Sequence, residues 1–151
     1  MSQKRLLFMC VANCCRSQMA EGLFRDEIPD VQVFSAGLSP WRVDPNVIQL
    51  LEREGRRTDT LISKHLRDLT FKPDAIIVLD ARVMAALMSD CYAYLHDVPI
   101  LLYPIDDPYV GDFLINLTDA QRKCYNRMVK RLLALRNSGI IHALGVSKWT
   151  K

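Results

Sequence analysis

Cys10 and Arg16 are separated by Val11-Ala12-Asn13-Cys14-Cys15 and followed by Ser17. A cysteine thiolate is a strong nucleophile, and a guanidinium is a planar fork that matches the oxygens of a tetrahedral oxyanion. The spacing alone is weak evidence: with five Cys and thirteen Arg in 151 residues, chance supplies about 0.4 such pairs. A small core cysteine and a surface arginine would give the same letters.

The flanking sequence adds weight. Lys4 to Met9 reads as a buried strand, and from Ser17 onward Met19, Ala20, Leu23 and Phe24 fall on one helical face. A loop that curls from a strand into a helix N-terminus aims several unpaired N–H groups at one point, which makes an anion nest. Residues 11–17 are the expected oxyanion-binding loop: Val11, Ala12, Asn13, Cys14, Cys15, Arg16 and Ser17. That positive field suits a sulfur nucleophile at Cys10 facing a bound oxyanion. A leaving alkoxide or phenoxide also needs a proton. Asp106-Asp107-Pro108 follows a later strand at the same sheet edge, which makes Asp107 the candidate acid, with a simple Asp-Pro turn as the alternative.

These residues need a scaffold. Half of the chain is hydrophobic, a quarter charged and the net charge +3, which suits a single globular domain over residues 1–151, with a polar tail after about residue 145 expected to fray. Val31 to Phe34, Ala75 to Leu79 and Pro99 to Tyr103 read as further strands. Helices are expected from Asn46 to Gly55, from Ala81 to Met88 and from a Thr118/Gln121 capping box to Asn137, with one or two turns in Ser63 to Leu69. Strands alternating with helices imply an α/β fold, a single-layer four-stranded parallel sheet with helices on both faces, binding ligands at the carboxyl edge.

The mild charge gives no ground for nucleic-acid or membrane binding. No apolar run reaches the roughly 20 residues of a membrane helix, and the start reads as mature protein rather than a signal peptide. Five cysteines without framework spacing suggest reduced thiols and a cytoplasmic setting. His65, His96 and His142 have no metal-site spacing, so neither a metal nor another cofactor is expected. Cys124 falls on the apolar face of the last helix and is expected in the core.

Taken together, Cys10-Val-Ala-Asn-Cys-Cys-Arg16-Ser17-Gln-Met-Ala-Glu21, Ser35-Ala36-Gly37 and Asp107-Pro108-Tyr109 resemble the low-molecular-weight protein tyrosine phosphatases and the arsenate reductases that share their flavodoxin-like fold. The resemblance implies Cys10 as a nucleophile forming a phosphocysteine, Arg16 as oxyanion clamp and Asp107 as general acid and then base. It implies Ser17 as the hydroxyl on the thiolate and Asn13 as the residue that holds the loop. Ser35 is expected to support Asn13, and Ser63 stands where many phosphatases carry a histidine. Ala12 replaces a frequent glycine, so position 12 is expected to keep a negative φ.

Trp41 and Tyr109 are implied as walls of the substrate mouth, and Val110 replaces a second tyrosine. Cys15 is implied as a partner for Cys10 in a protective disulfide. The implied substrates are a phosphotyrosine-containing protein, a small phosphomonoester or another oxyanion. The arsenate reading needs a thiol reductant. Strand Ile76-Ile77-Val78-Leu79 ends in Asp80 and Cys91 lies well beyond it, which weighs against an internal thiol relay, whereas Ser17 to Glu21 and Ser63 to Leu66 read more like the reductases. A non-catalytic anion-binding module is the third alternative.

Overall fold

A computed structural model describes residues 3–108 and 117–144, apart from the side chain of His142. Four strands, β1 (Lys4–Cys10), β2 (Val31–Gly37), β3 (Ala75–Val78) and β4 (Ile100–Leu102), form one sheet in the order β2-β1-β3-β4. Every pairing is parallel, with Cys10 opposite Gly37 and Met9 opposite Val78. The helices are α1 (Arg16–Phe24), α2 (Pro45–Arg53), α3 (Ala81–Leu87), α4 (Asp119–Asn137) and α5 (Ile140–Ala143). The four-stranded parallel α/β sheet expected from the sequence is therefore present. Ser63 to Leu69 contains a single 3-10 turn, Leu66–Asp68, and a kinked 3-10 segment at Asp90–Leu95 and the short α5 were not anticipated.

The central strands β1 and β3 are buried on both faces, as continuous apolar runs require. One face packs Leu6, Phe8, Ile77 and Leu79 against residues of α1, α2 and α4; the other packs Leu7, Met9, Ile76 and Val78 against Val83 and Leu87 of α3. Helix α1 is wholly buried. Its Gly22 permits this crowding, because a Cβ there would stand 2.5 Å from Leu51 of α2. Asp44 caps α2 by accepting the Asn46 N–H at 2.9 Å, with Pro45 in the first turn. Thr118 and Gln121 cap α4 reciprocally, and Gly139, at φ 76°, follows its end. The strand order reverses between β1 and β3, so the connections leaving these strands diverge and open a crevice at their carboxyl ends.

Candidate active site

Residues 11–15 span that crevice between β1 and α1. Their outer side is laced to the β2–α2 connection by main-chain bonds. The carbonyl of Val11 accepts from the Leu38 and Ser39 N–H groups, each at 2.9 Å, that of Ala12 from Trp41 at 3.0 Å and that of Cys14 from Asp44 at 2.8 Å. With the carbonyls engaged outward, the amides are left for the inner side. Among the described residues no acceptor takes the N–H groups of residues 11–15. No side chain caps α1 and no acid lies in its first turn. The result is a cup of unpaired donors at the positive end of a helix.

Gly37 is necessary for the lacing. A Cβ there would meet Val11 O at 2.6 Å and Asn13 N at 2.9 Å. Asn13 adopts φ 47°, in the left-handed region, whereas Ala12 keeps a negative φ. The Asn13 side chain donates to Ser17 Oγ at 2.7 Å, and its Oδ1 accepts from Lys64 N at 2.9 Å and from Gln18 Nε2 at 3.0 Å. Gln18 Nε2 also reaches the Asn13 and Ile62 carbonyls. Ser17 Oγ lies 2.9 Å from Cys10 Sγ. Because this oxygen already accepts from Asn13, its own proton is available to the sulfur.

One expectation about support for the loop is corrected: the Ser35 hydroxyl donates to Glu21 Oε1, not to Asn13. Ser63 does support the loop, its Oγ donating to the Ala12 carbonyl at 3.2 Å. Gln18 grips Asn13 alongside Ser17, a role that was not anticipated.

Arg16 is buried, with its side chain 5% exposed. Its Nη1 donates to Asp80 Oδ2 at 3.0 Å and to the Ile105 carbonyl at 3.1 Å, and Nη2 lies 3.6 Å from Asp107 Oδ2. Burial works against the guanidinium charge, but Cys10, Asp107 and Asp80 outweigh it. Asp80 was not anticipated as a site residue. Arg82 holds its carboxyl far below the usual range by side-chain and backbone hydrogen bonds, with a smaller contribution from Arg16 and against the pull of burial. An aspartate capping a helix at the end of a central strand, beside β1, was the available signal. The Asp107 side chain is about one-third exposed, so it meets both the cup and solvent.

Burial, reinforced by Cys10 and Asp107, pushes the Cys14 thiol up to about 12, and burial with Asp44 also raises Cys15. Both remain thiols near neutral pH. Cys15 Sγ rests 3.8 Å from Met128 Sδ in the core. Cys124 is half-buried instead of lying in the core, and lines a cavity of about 280 Å³ with Ile105 and Met128. Trp41 is 44% exposed, with the Arg42 guanidinium 4.8 Å from its ring centroid, and its backbone bond to Ala12 places it beside the cup. Tyr109, Val110 and the tail after residue 144 lie outside the described residues. Among the described residues no helix is long and apolar enough to cross a membrane.

Residues 5–132 match the low molecular weight phosphotyrosine protein phosphatase family, and the chain belongs to it. The chain is 35% identical over 90 residues to a probable low molecular weight protein-tyrosine-phosphatase, EpsP, of Ralstonia nicotianae, a match covering 57% of this chain and 62% of the relative. It is 36% identical over 91 residues to an arsenate reductase of Staphylococcus xylosus, covering 60% of this chain and 64% of that protein. Either match thus spans less than two thirds of the relative's length. Among solved structures, that of YfkJ from Bacillus subtilis superposes with a TM-score of 0.68 at 25% identity, over 94% of this chain and 98% of YfkJ. The family contains phosphatases and arsenate reductases, both of them enzymes.

Proposed function

We propose that this chain is a cysteine-dependent phosphomonoester hydrolase of the protein tyrosine phosphatase type. The observation that carries the reading is the approach of the Asp107 carboxylate to within 3.6 Å of Arg16 Nη2, beside a cup whose floor holds Cys10 against Ser17. An arriving phosphate dianion takes the free amides of the cup and the Arg16 fork. Cys10 sulfur attacks phosphorus, the phosphorus–oxygen bond to the leaving group breaks, and Asp107 gives that oxygen its proton. Asp107, now a carboxylate, takes a proton from water as the water oxygen attacks the phosphocysteine, which releases phosphate and restores the thiolate. Ser17 stabilises the sulfur anion both as attacker and as leaving group. The implied substrates are protein phosphotyrosine or a small phosphomonoester, with Trp41 beside the cup.

A second reading, arsenate reductase, is supported by the 36% identity to the Staphylococcus xylosus protein. Arsenate fits the same cup, and the reduction requires a thiol to attack the Cys10 adduct. The described thiols are poorly suited to a relay: Cys14 and Cys15 are buried, and Cys91 is exposed in the segment after α3. An external thiol reductant is therefore required.

A paired assay on purified protein separates the readings by measuring p-nitrophenyl phosphate hydrolysis and thiol-dependent arsenate reduction. The expected result is hydrolysis that is absent in Cys10→Ser and severely reduced in Arg16→Lys, since an ammonium cannot form the fork. Arsenate turnover without hydrolysis would select the second reading. Oxyanion binding with neither turnover would select a non-catalytic module.

A further inference from the structure

Helix α3 begins with a side chain that the chemistry above does not use. Asp80 caps the helix by accepting the Arg82 N–H at 2.8 Å, and the Arg82 side chain folds back onto the same carboxylate, Nε to Oδ1 at 3.0 Å and Nη2 to Oδ2 at 2.7 Å. Oδ2 is also the atom that accepts from Arg16 Nη1 at 3.0 Å. Two guanidinium nitrogens on one oxygen are less than about 6 Å apart. Their surroundings differ sharply, because the Arg16 side chain is 5% exposed and that of Arg82 is 72% exposed. Asp80 thus holds one cation inside the cup and a second, solvent-exposed one within about 6 Å of it.

The exposed cation is preorganised. A surface arginine normally loses rotamer freedom when it binds an anion, but here the bidentate contact to a buried carboxylate has already fixed it. Arg82 Nη1 has no acceptor among the described residues. An arriving phosphate is met by the amides and Arg16, while Arg82 Nη1 remains open to a further anion.

We propose that Arg82 is a specificity-determining residue, binding a second anionic group carried next to the phosphate on the leaving-group side. The preferred substrates are then phosphomonoesters with a neighbouring carboxylate or second phosphate. The proposal rests on the phosphatase reading and refines its substrate class.

The test compares phenyl phosphate with 3-carboxyphenyl phosphate, whose leaving groups are of similar acidity. In parallel it compares phosphotyrosine peptides flanked by Asp with the same peptides flanked by Ala, for wild type and Arg82→Ala at low and high salt. Wild type should favour the anionic partner in kcat/KM by about two- to five-fold at low salt, the range of an exposed ion pair, mainly through KM, and salt should erode the preference. In Arg82→Ala the ratio should fall to about one. A preference confined to the peptides assigns the second anion to protein substrates, and one shared by the carboxyphenyl ester extends it to small molecules. No preference in wild type, or the same ratio in the variant, overturns the proposal. Equal losses on both partners belong to the latter case, with Arg82 acting only through Asp80 on Arg16. Wild-type protein inert to every aryl phosphate overturns the phosphatase reading and this proposal with it, whereas turnover without preference overturns this proposal alone.

Discussion

Asp80→Asn separates charge from shape at the residue that pins the Arg16 clamp. Asparagine caps a helix as well as aspartate does, so α3 keeps its N-terminus and the substitution removes one negative charge. Arg16 retains the Ile105 carbonyl and Asp107 and loses a charge-assisted bond between two nearly buried groups, worth about 1.5–3 kcal/mol. The Arg82 bond is solvent-exposed on the arginine side and adds little. For a chain of this length the loss corresponds to a fall in Tm of roughly 4–10 °C. Because the folded-state pKa of Asp80 is depressed, its contribution is fully present above the unfolded carboxyl value, near 3.9. It is lost as the pH falls through the folded value. Urea denaturation followed by tryptophan fluorescence should show a constant gap between wild type and variant from pH 8 to 5, closing only in strong acid, below about pH 4. Equal midpoints at pH 7, or a gap that does not narrow on acidification, would refute the ion-pair reasoning.

Gly37→Ala puts a methyl group 2.6 Å from Val11 O and 3.0 Å from Asn13 Cβ. It should cost about 1–3 kcal/mol of stability and, by shifting the cup, lower kcat/KM for p-nitrophenyl phosphate by as much as about 100-fold; thermal melts with steady-state kinetics check both. Asp107→Asn should slow esters with poor leaving groups far more than those with good ones, and equal slowing across a substituted phenyl phosphate series would argue against the acid role. Peroxide inactivation should be reversed by dithiothreitol in wild type and much less so in Cys15→Ser, since bridging to Cys10 shields that sulfur from further oxidation. Bridging requires the Cys15 thiol to leave its contact with Met128, so the reversible species should form slowly.

The sheet was legible because burial writes itself into composition: Ala75 to Val78 has no polar residue, and the structure buries every one of its side chains. The Thr118/Gln121 cap was equally plain, since its two partners lie within one helical turn. The loop and helix around Cys10 were local enough to read as well. Contacts that close across long sequence separations were harder. Gln18 looked like an ordinary helix residue, yet it joins Asn13 to Ile62, 44 residues away. Asp80 read only as the end of a strand, and the fold brings it to Arg16. Ser35 stands two residues before Gly37 but donates to Glu21. Side-chain amides and hydroxyls leave no periodic trace, so their partners follow from tertiary packing. Cys124 departs for a related reason: its place on the apolar stripe of α4 does not reveal that it lines a cavity there.

The bonds between the cup and residues 38–44 have a consequence for how such a site can diversify. All four are made by peptide groups, which every residue type except proline supplies in full. The exposed side chains of this segment, Trp41 and Arg42 among them, can therefore change in size and charge while the amides beneath keep their aim, whereas Asp44 is held by its cap on α2. Preferences for different phosphorylated surfaces can evolve at the rim without retuning the chemistry at the floor.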